Sequence, residues 1–219
     1  MVLTAAELLE TEEAEQVGFA EMDKFSKKKN YLIAKRILDI ILSFAGLIVC
    51  AIPMMVVSLL IRLESPGPAL FMQKRMGKDG KVFVMYKFRT MYTSAPGNLA
   101  TRTFSNAGQY ITPLGKVLRR TSIDEIPQLV NILRGDMSIV GCRPVCLTEE
   151  RLNNLRMERG VFALRPGLTG LAQISGRDNL SVEEKVELEV RYLNECSLKL
   201  DAWCIIKTVF TVITGEGVL

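Results

Sequence analysis

The sequence predicts a helix-rich α+β domain with a small β-hairpin, attached to a kinked apolar helix long enough to enter or cross a membrane. Three observations lead there. Residues 37–61 are apolar apart from Asp39, Ser43 and Ser58, a run long enough to enter or cross a bilayer. Two short stretches with β character, 69–73 and 82–88, flank the turn Gly77-Lys78-Asp79-Gly80. The rest carries apolar residues at helical spacing, broken by glycine, proline and capping signals.

Composition narrows the function classes. Of 219 residues, 48% are hydrophobic and mean hydropathy is +0.20, which points to membrane contact. A net charge of +4 suits an anionic membrane surface or phosphorylated substrates, and no nucleic-acid motif with interleaved aromatics is present. With no histidine, His-based acid–base chemistry, Ser-His triads and His-ligated zinc are excluded. The five cysteines form no CxxC pair, so reduced thiols are expected, and a Cys142/Cys146 metal pair would lack further ligands. The acidic N-terminus does not have the form of a cleavable signal peptide.

Taken in order, residues 1–34 form an acidic extension ending in lysines that suit anionic headgroups, and 35–63 form the membrane helix. Residues 64–219 are expected to form the main domain, closed by a membrane-surface helix. Basic residues flank the apolar run on both sides, giving no direction of crossing. Pro53 within it predicts a kink, so a segment that enters and leaves on one face is compatible with the same length as a span. Asp39 must be paired or at the interface, since a charge deeper in lipid is costly. Residues 93–112 read as a long polar loop. Ser181 and Glu184 have the form of a capping box before a helix reaching about Asn194. The last apolar stretch, 198–213, has Trp203 and Lys207 as interfacial anchors, with a tail helix packed on the core as the alternative.

The stretch Arg119-Arg120-Thr121-Ser122-Ile123-Asp124-Glu125-Ile126-Pro127-Gln128-Leu129 organises the remainder. Ser122 and Glu125 also have capping-box spacing, which places Asp124 at the positive end of a helix, ionised and exposed. An aspartate so placed can attack phosphorus and form a covalent aspartyl intermediate. Glu125 beside it suits Mg2+, which takes one or two carboxylates plus phosphate oxygens. The competing reading is that both acids only complete a helix start. Arg143, fixed between a cysteine and a proline, presents a rigid fork to phosphate. Lys87 and Arg89 gather at the hairpin, where a solvated basic face is the alternative. The glycines of Arg165-Pro166-Gly167-Leu168-Thr169-Gly170 permit close backbone approach to a ligand, and ordinary turns use them as well. A Walker A ending is absent.

These motifs together resemble those of the bacterial sugar transferases, the monotopic phosphoglycosyl transferases. The resemblance covers roughly 35–213. It rests on Lys35-Arg36-Ile37-Leu38-Asp39, Tyr86-Lys87-Phe88-Arg89-Thr90-Met91, Asp124-Glu125, Gly135-Asp136-Met137-Ser138 with Arg143-Pro144, and the glycine motif at 165–170. Ile52 stands where the family often has serine before the proline, Cys142 replaces a proline, and Glu189 stands where aspartate is usual ahead of Tyr192.

The resemblance implies transfer of a sugar 1-phosphate from a UDP-sugar donor to undecaprenyl (polyprenyl) phosphate, giving polyprenyl diphosphosugar and UMP. It implies Asp124 as nucleophile, Glu125 as the catalytic-site residue that helps bind Mg2+, a catalytic domain at 64–219 anchored by a kinked re-entrant membrane helix, and the cytoplasmic face of a bacterial inner membrane as the location. Such a step starts assembly of capsule, exopolysaccharide, O-antigen or a related glycan. Arg143, Lys87, Arg89, Arg120 and Arg177 are the residues expected to hold donor or acceptor phosphates. Membrane lipid is the expected partner, nucleic acid is not, and a homo-oligomer is left open. A membrane-bound phosphatase using the same aspartate and a non-catalytic membrane scaffold are the alternatives.

Overall fold

The computed structural model describes residues 28–95, 107–176 and 179–214. The extension before Lys28, most of the polar loop at 93–112, and Arg177 therefore lie outside the described residues. Helix α1 spans Lys29–Glu64 and continues through Pro53. At about 1.5 Å per residue its 36 residues reach about 54 Å, beyond the ~30 Å hydrocarbon core of a bilayer. It is the one described helix long and apolar enough to cross a membrane.

The helix presents two different surfaces. Tyr31, Lys35, Asp39, Ser43, Gly46, Cys50, Met54, Val57 and Ile61 recur every three or four residues and are buried or half-buried. Around them Ile37, Ile41, Phe44, Ile48 and Met55 are exposed, and Val49, Ile52 and Leu63 are at least 70% exposed. Only 6% of its most apolar window is buried, unlike the mostly buried core helix of a soluble domain. The inward stripe carries the polar residues. Asp39 accepts a hydrogen bond from the Ile139 backbone N–H at 2.9 Å, so this charge is paired against protein. The Arg36 guanidinium donates to the carbonyls of Ile132 (2.6 Å) and Leu133 (2.9 Å).

After the turn at 65–68, β1 (Leu70–Met76) and β2 (Val82–Phe88) form the antiparallel hairpin, Leu70 opposite Phe88 and Met76 opposite Val82. Its tight turn places Asp79 and Gly80 at positive φ. Helix α2 (Pro113–Arg120) starts on the Thr112 cap, whose hydroxyl accepts from the Gly115 N–H at 2.9 Å. Helix α3 (Gln128–Arg134) ends at Gly135 with φ 91°.

Then comes a second sheet that the sequence reading did not include: β3 (Ser138–Val140) parallel to β4 (Gly167–Thr169). These strands are too short to show an alternating pattern. The glycines here let chain meet chain: a Cβ on Gly167 would lie 2.1 Å from the Gly141 nitrogen, and one on Gly170 1.9 Å from the Gly141 oxygen. Helices α4 (Glu150–Glu158), α5 (Leu171–Ser175), α6 (Val182–Glu195) and α7 (Leu198–Thr214) complete the domain. The Ser181/Glu184 capping box at the start of α6 is present in full.

One cluster of Val140, Leu164, Leu171, Tyr192, Leu193 and Cys204 holds the β3/β4 sheet to α5, α6 and α7. Another, of Ile61, Ala69, Phe88 and Leu118, joins the end of α1 to the hairpin and α2. Asp201 ties the start of α1 to the first of these. Its carboxylate accepts from Lys35 Nζ (2.8 Å), Tyr31 (3.0 Å) and Tyr192 (2.6 Å). On the opposite side of α7, Trp203, Ile206, Val209 and Phe210 are exposed, with Lys207 over the Phe210 ring.

Arg89 corrects an expectation. It is buried, and its guanidinium donates to the carbonyls of Ser65 (2.6 Å), Pro66 (2.8 Å) and Ile61 (3.3 Å) and to the Ser65 hydroxyl (3.0 Å). It caps the end of α1 instead of facing a phosphate site. Arg89→Ala is expected to cost about 3 kcal/mol of stability by orphaning buried carbonyls, read as a lower melting temperature in detergent. A variant that melts like the wild type but binds donor poorly would restore the phosphate role.

Candidate active site

The Ser122–Glu125 spacing does not form a capping box. Ser122 sits at φ 57°, ψ 15°, with no side-chain cap, and begins a single 3-10 turn, Ile123–Glu125. Helix α3 starts only after Pro127. A non-glycine residue in the left-handed region costs roughly 1 kcal/mol or more. The contacts of its neighbours hold it there. Ile123 packs into the Phe88/Leu118 cluster, Asp124 turns into the protein, and Glu125 is drawn away from Ser122 by two cations.

Those cations come from distant segments. Lys87, on the inward face of β2, places Nζ 2.6 Å from Glu125 Oε1. Arg143, just after β3, places Nη2 3.2 Å from the same oxygen. The Glu125 side chain is 18% exposed, Lys87 17% and Arg143 50%, so the knot is mostly shielded but open on the arginine side. Burial by itself would raise the Glu125 carboxyl. The charges of Lys87 and Arg143 outweigh it and bring the group down to about 2.

Asp124 is buried, not exposed as the helix-start argument expected. Burial raises its carboxyl above the ordinary value. Lys87 pulls it back, Glu125 adds to the rise, and Arg119 and Arg143 pull it back further, with burial prevailing. Adjacent carboxylates thus have opposite shifts, a pattern that separates roles in acid–base and nucleophilic sites.

Arg119 is the residue that sequence reasoning passed over. It is half-buried, donates Nε–H to the Thr90 hydroxyl at 2.9 Å, and is close enough to Asp124 for their charges to interact. Arg120, the expected phosphate ligand, is exposed at the end of α2. Successive helical residues point about 100° apart, so only one of the pair can face the dyad. Asn131 was also missed. Wholly buried, it donates to the Val84 carbonyl (2.7 Å) and accepts from the Tyr86 N–H (3.0 Å), locking α3 to the strand that carries Lys87. Glu189 is engaged by Arg156 in a buried ion pair.

Among the described residues no three His, Cys, Asp or Glu side chains converge on a metal position. The dyad nevertheless fits Mg2+ in the manner of sites completed by substrate phosphates. Both protein contacts to Glu125 fall on Oε1, and no described residue donates to Oε2.

Residues 30–215 match the family model described as bacterial sugar transferase. The chain belongs to that family. Over 202 residues it is 41% identical to a galactosyl transferase, CpsE, of Streptococcus agalactiae, a match spanning 87% of this chain and 44% of that one. It is 36% identical to an uncharacterized sugar transferase, EpsL, of Bacillus subtilis, over 85% of this chain and 91% of the relative. It is also 36% identical to a UDP-glucose:undecaprenyl-phosphate glucose-1-phosphate transferase of Escherichia coli, over 81% of this chain and 40% of that one. The chain thus spans less than half of the streptococcal and E. coli relatives and nearly all of the Bacillus one.

The sign of the Asp124 shift gives a stability prediction. A raised carboxyl binds its proton more readily folded than unfolded, so its contribution to stability is best at low pH and worsens as pH rises through the folded value. Asp124→Asn should melt at or above the wild-type temperature at pH 7, with the gap closing as the pH is lowered towards 4. A clearly lower melting temperature at pH 7 would contradict the assigned burial cost.

Proposed function

We propose that this chain is a phosphoglycosyl transferase that moves a sugar 1-phosphate from a UDP-sugar to undecaprenyl phosphate, releasing UMP. The observation that carries the reading is the charge arrangement at the dyad. Lys87, Arg119 and Arg143 surround Asp124 and Glu125 within a domain docked on a helix whose outer surface is apolar. Such a site suits two anionic substrates, one from water and one from lipid. The E. coli relative's name describes the same transfer with glucose.

In this reading Asp124, as carboxylate, attacks the β-phosphorus of the donor. The bond from that phosphorus to the bridging oxygen breaks, UMP leaves with the electron pair, and the phosphosugar stays esterified to Asp124. A phosphate oxygen of undecaprenyl phosphate then attacks the same phosphorus and frees the carboxylate. Lys87, Arg119 and Arg143 offset the charge that builds on the phosphate oxygens, which is the main service a protein can give phosphoryl transfer. Glu125 would hold Mg2+, which when bound would supply further neutralisation of that charge. The membrane-bound phosphatase alternative uses the same first step with water as acceptor, and its product would lack the lipid.

We place the domain on the cytoplasmic face of a bacterial inner membrane, with α1 re-entrant. Support comes from where the ends of α1 are held: Arg36 and Asp39 near its start, and Ile61 and Ser65 at its end, bond the same domain. A helix that carried its start to the far face could not keep both sets of contacts. Tags on the two flanks of α1 should be accessible from one side in sealed vesicles, and labelling from opposite sides would overturn re-entry.

The chemical test uses purified full chain in lipid nanodiscs with UDP-sugars and undecaprenyl phosphate. Wild type is expected to release UMP, and donor alone should leave a phosphosugar adduct on Asp124 detectable by mass spectrometry. Asp124→Asn should lower turnover at least about a thousandfold, the scale for losing a nucleophile. Turnover retained in that variant, or product formed with no adduct at any time point, would refute the covalent route.

A further inference from the structure

Arg143 contacts Glu125 from a segment that is pinned along its backbone. Every carbonyl from Cys142 to Cys146 accepts a hydrogen bond. The donors are the Gly167 N–H (2.8 Å), Arg156 Nη1 (2.9 Å), Arg75 Nη1 (3.3 Å), the Met76 N–H (3.3 Å) and Asn153 Nδ2 (2.9 Å), in chain order. Five successive carbonyls satisfied by three different parts of the chain, β1, α4 and β4, is far more restraint than a surface loop normally has.

The bond at Arg143 itself has an unusual donor. Arg156, on α4, is 2% exposed, and so is Glu189 on α6. The guanidinium is forked onto that carboxylate through Nε (2.7 Å) and Nη2, which leaves Nη1 for the Arg143 carbonyl. A buried pair of this kind costs desolvation and does little for stability compared with apolar residues of the same size. A staple between α4 and α6 could be built from leucines. A leucine could not present a planar, charged N–H to a carbonyl beside the dyad.

We infer that Arg156 is a positioning residue for the transfer reaction: oriented by Glu189, it fixes the backbone at Arg143 and so aims the Arg143 guanidinium at Glu125. This deepens the proposed activity and rests on it. Arg156 does not touch the reacting groups. Its effect must pass through Arg143, and that distinguishes positioning from a general contribution to folding.

The experiment is a double-mutant cycle on the full chain in nanodiscs, scored by kcat/KM for UMP release. Arg156→Lys keeps a charge beside Glu189 but loses the fork and the third donor. It should lower kcat/KM about tenfold or more, the scale of a small misplacement at a reacting centre. In the Arg143→Ala background the same change should have almost no further effect, because there is no guanidinium left to aim. The double change Arg156→Met with Glu189→Met, which removes the buried charges together, should be folded and show the same loss. Should Arg156→Lys fail to fold, this second variant carries the cycle.

A loss that multiplies fully onto Arg143→Ala, or a folded variant with wild-type kcat/KM, overturns the inference. Hydrogen–deuterium exchange gives a readout independent of turnover. Amides between Arg143 and Glu149 should exchange faster in Arg156→Lys while those of α7 are unchanged. If the wild-type chain releases no UMP, the proposed activity fails by itself, and unchanged exchange at 143–149 would refute the mounting of Arg143 separately.

Discussion

The oxygen Oε1 of Glu125 is where the domain converges. It accepts from Lys87 on the hairpin and from Arg143 beyond β3, groups 38 and 18 residues away in the chain. With Arg119 added, three cations face two carboxylates, so the site has positive charge to spare before any ligand arrives. In a half-shielded setting such pairs are worth more than on an open surface, and they are correspondingly sensitive to any group that shifts. This explains how much of the fold serves to hold their backbones. Asn131 locks β2 to α3, Arg156 and Asn153 hold the segment of Arg143, and the Thr90 hydroxyl engages Arg119.

The apolar helix α1 is part of the same construction. Asp39 and Ser43 look out of place in an apolar run, but both are buried on the protein side, where Asp39 holds the backbone of β3. Arg36 satisfies carbonyls at the end of α3, the helix that follows the dyad. A charged group in such a helix is tolerable only when it has a partner. Here the partners are the elements that frame the site. A change in the seating of α1 would therefore be felt at α3 and β3 before it reached the dyad.

The two Ser-x-x-Glu sequences show how far local signals reach. Ser181 and Glu184, in an exposed position with no competing partner among the described residues, form the capping box. Ser122 and Glu125 have the same spacing, yet Glu125 has two cations within reach and abandons the cap. Local rules hold where tertiary contacts are weak and give way where they are strong, and they give way at the site. The apolar helix, the hairpin, α6 and α7 were legible because each carries its pattern over many residues. The β3/β4 pair was not, since three-residue strands carry no period. Which arginine of 119 and 120 faced the dyad depended on the phase of an eight-residue helix, which Leu114, Val117 and Leu118 do not settle by themselves. Arg89 was misread because a basic residue beside a candidate site and a basic residue capping a neighbouring helix look alike in one dimension.

The burial of Asp124 carries the remaining tension. A carboxylate in open water is fully ionised but wrapped in solvent that must be stripped before it reaches phosphorus. Burial strips that solvent in advance and also disfavours the ionised form, which is the rise imposed on Asp124. Lys87, Arg119 and Arg143 work against that rise, and their attraction strengthens as water is excluded. Glu125, held near 2 by the same cations, stays charged and keeps Lys87 and Arg143 from collapsing onto Asp124. In the proposed reaction the donor's phosphates would compete for these cations just as Asp124 gives up its charge to an ester. The positive groups would thus serve the carboxylate first and the phosphate afterwards without having to move far. That economy of motion requires the cations to be mounted rigidly, which is why the restraints on Arg143 matter more than the number of charges at the site.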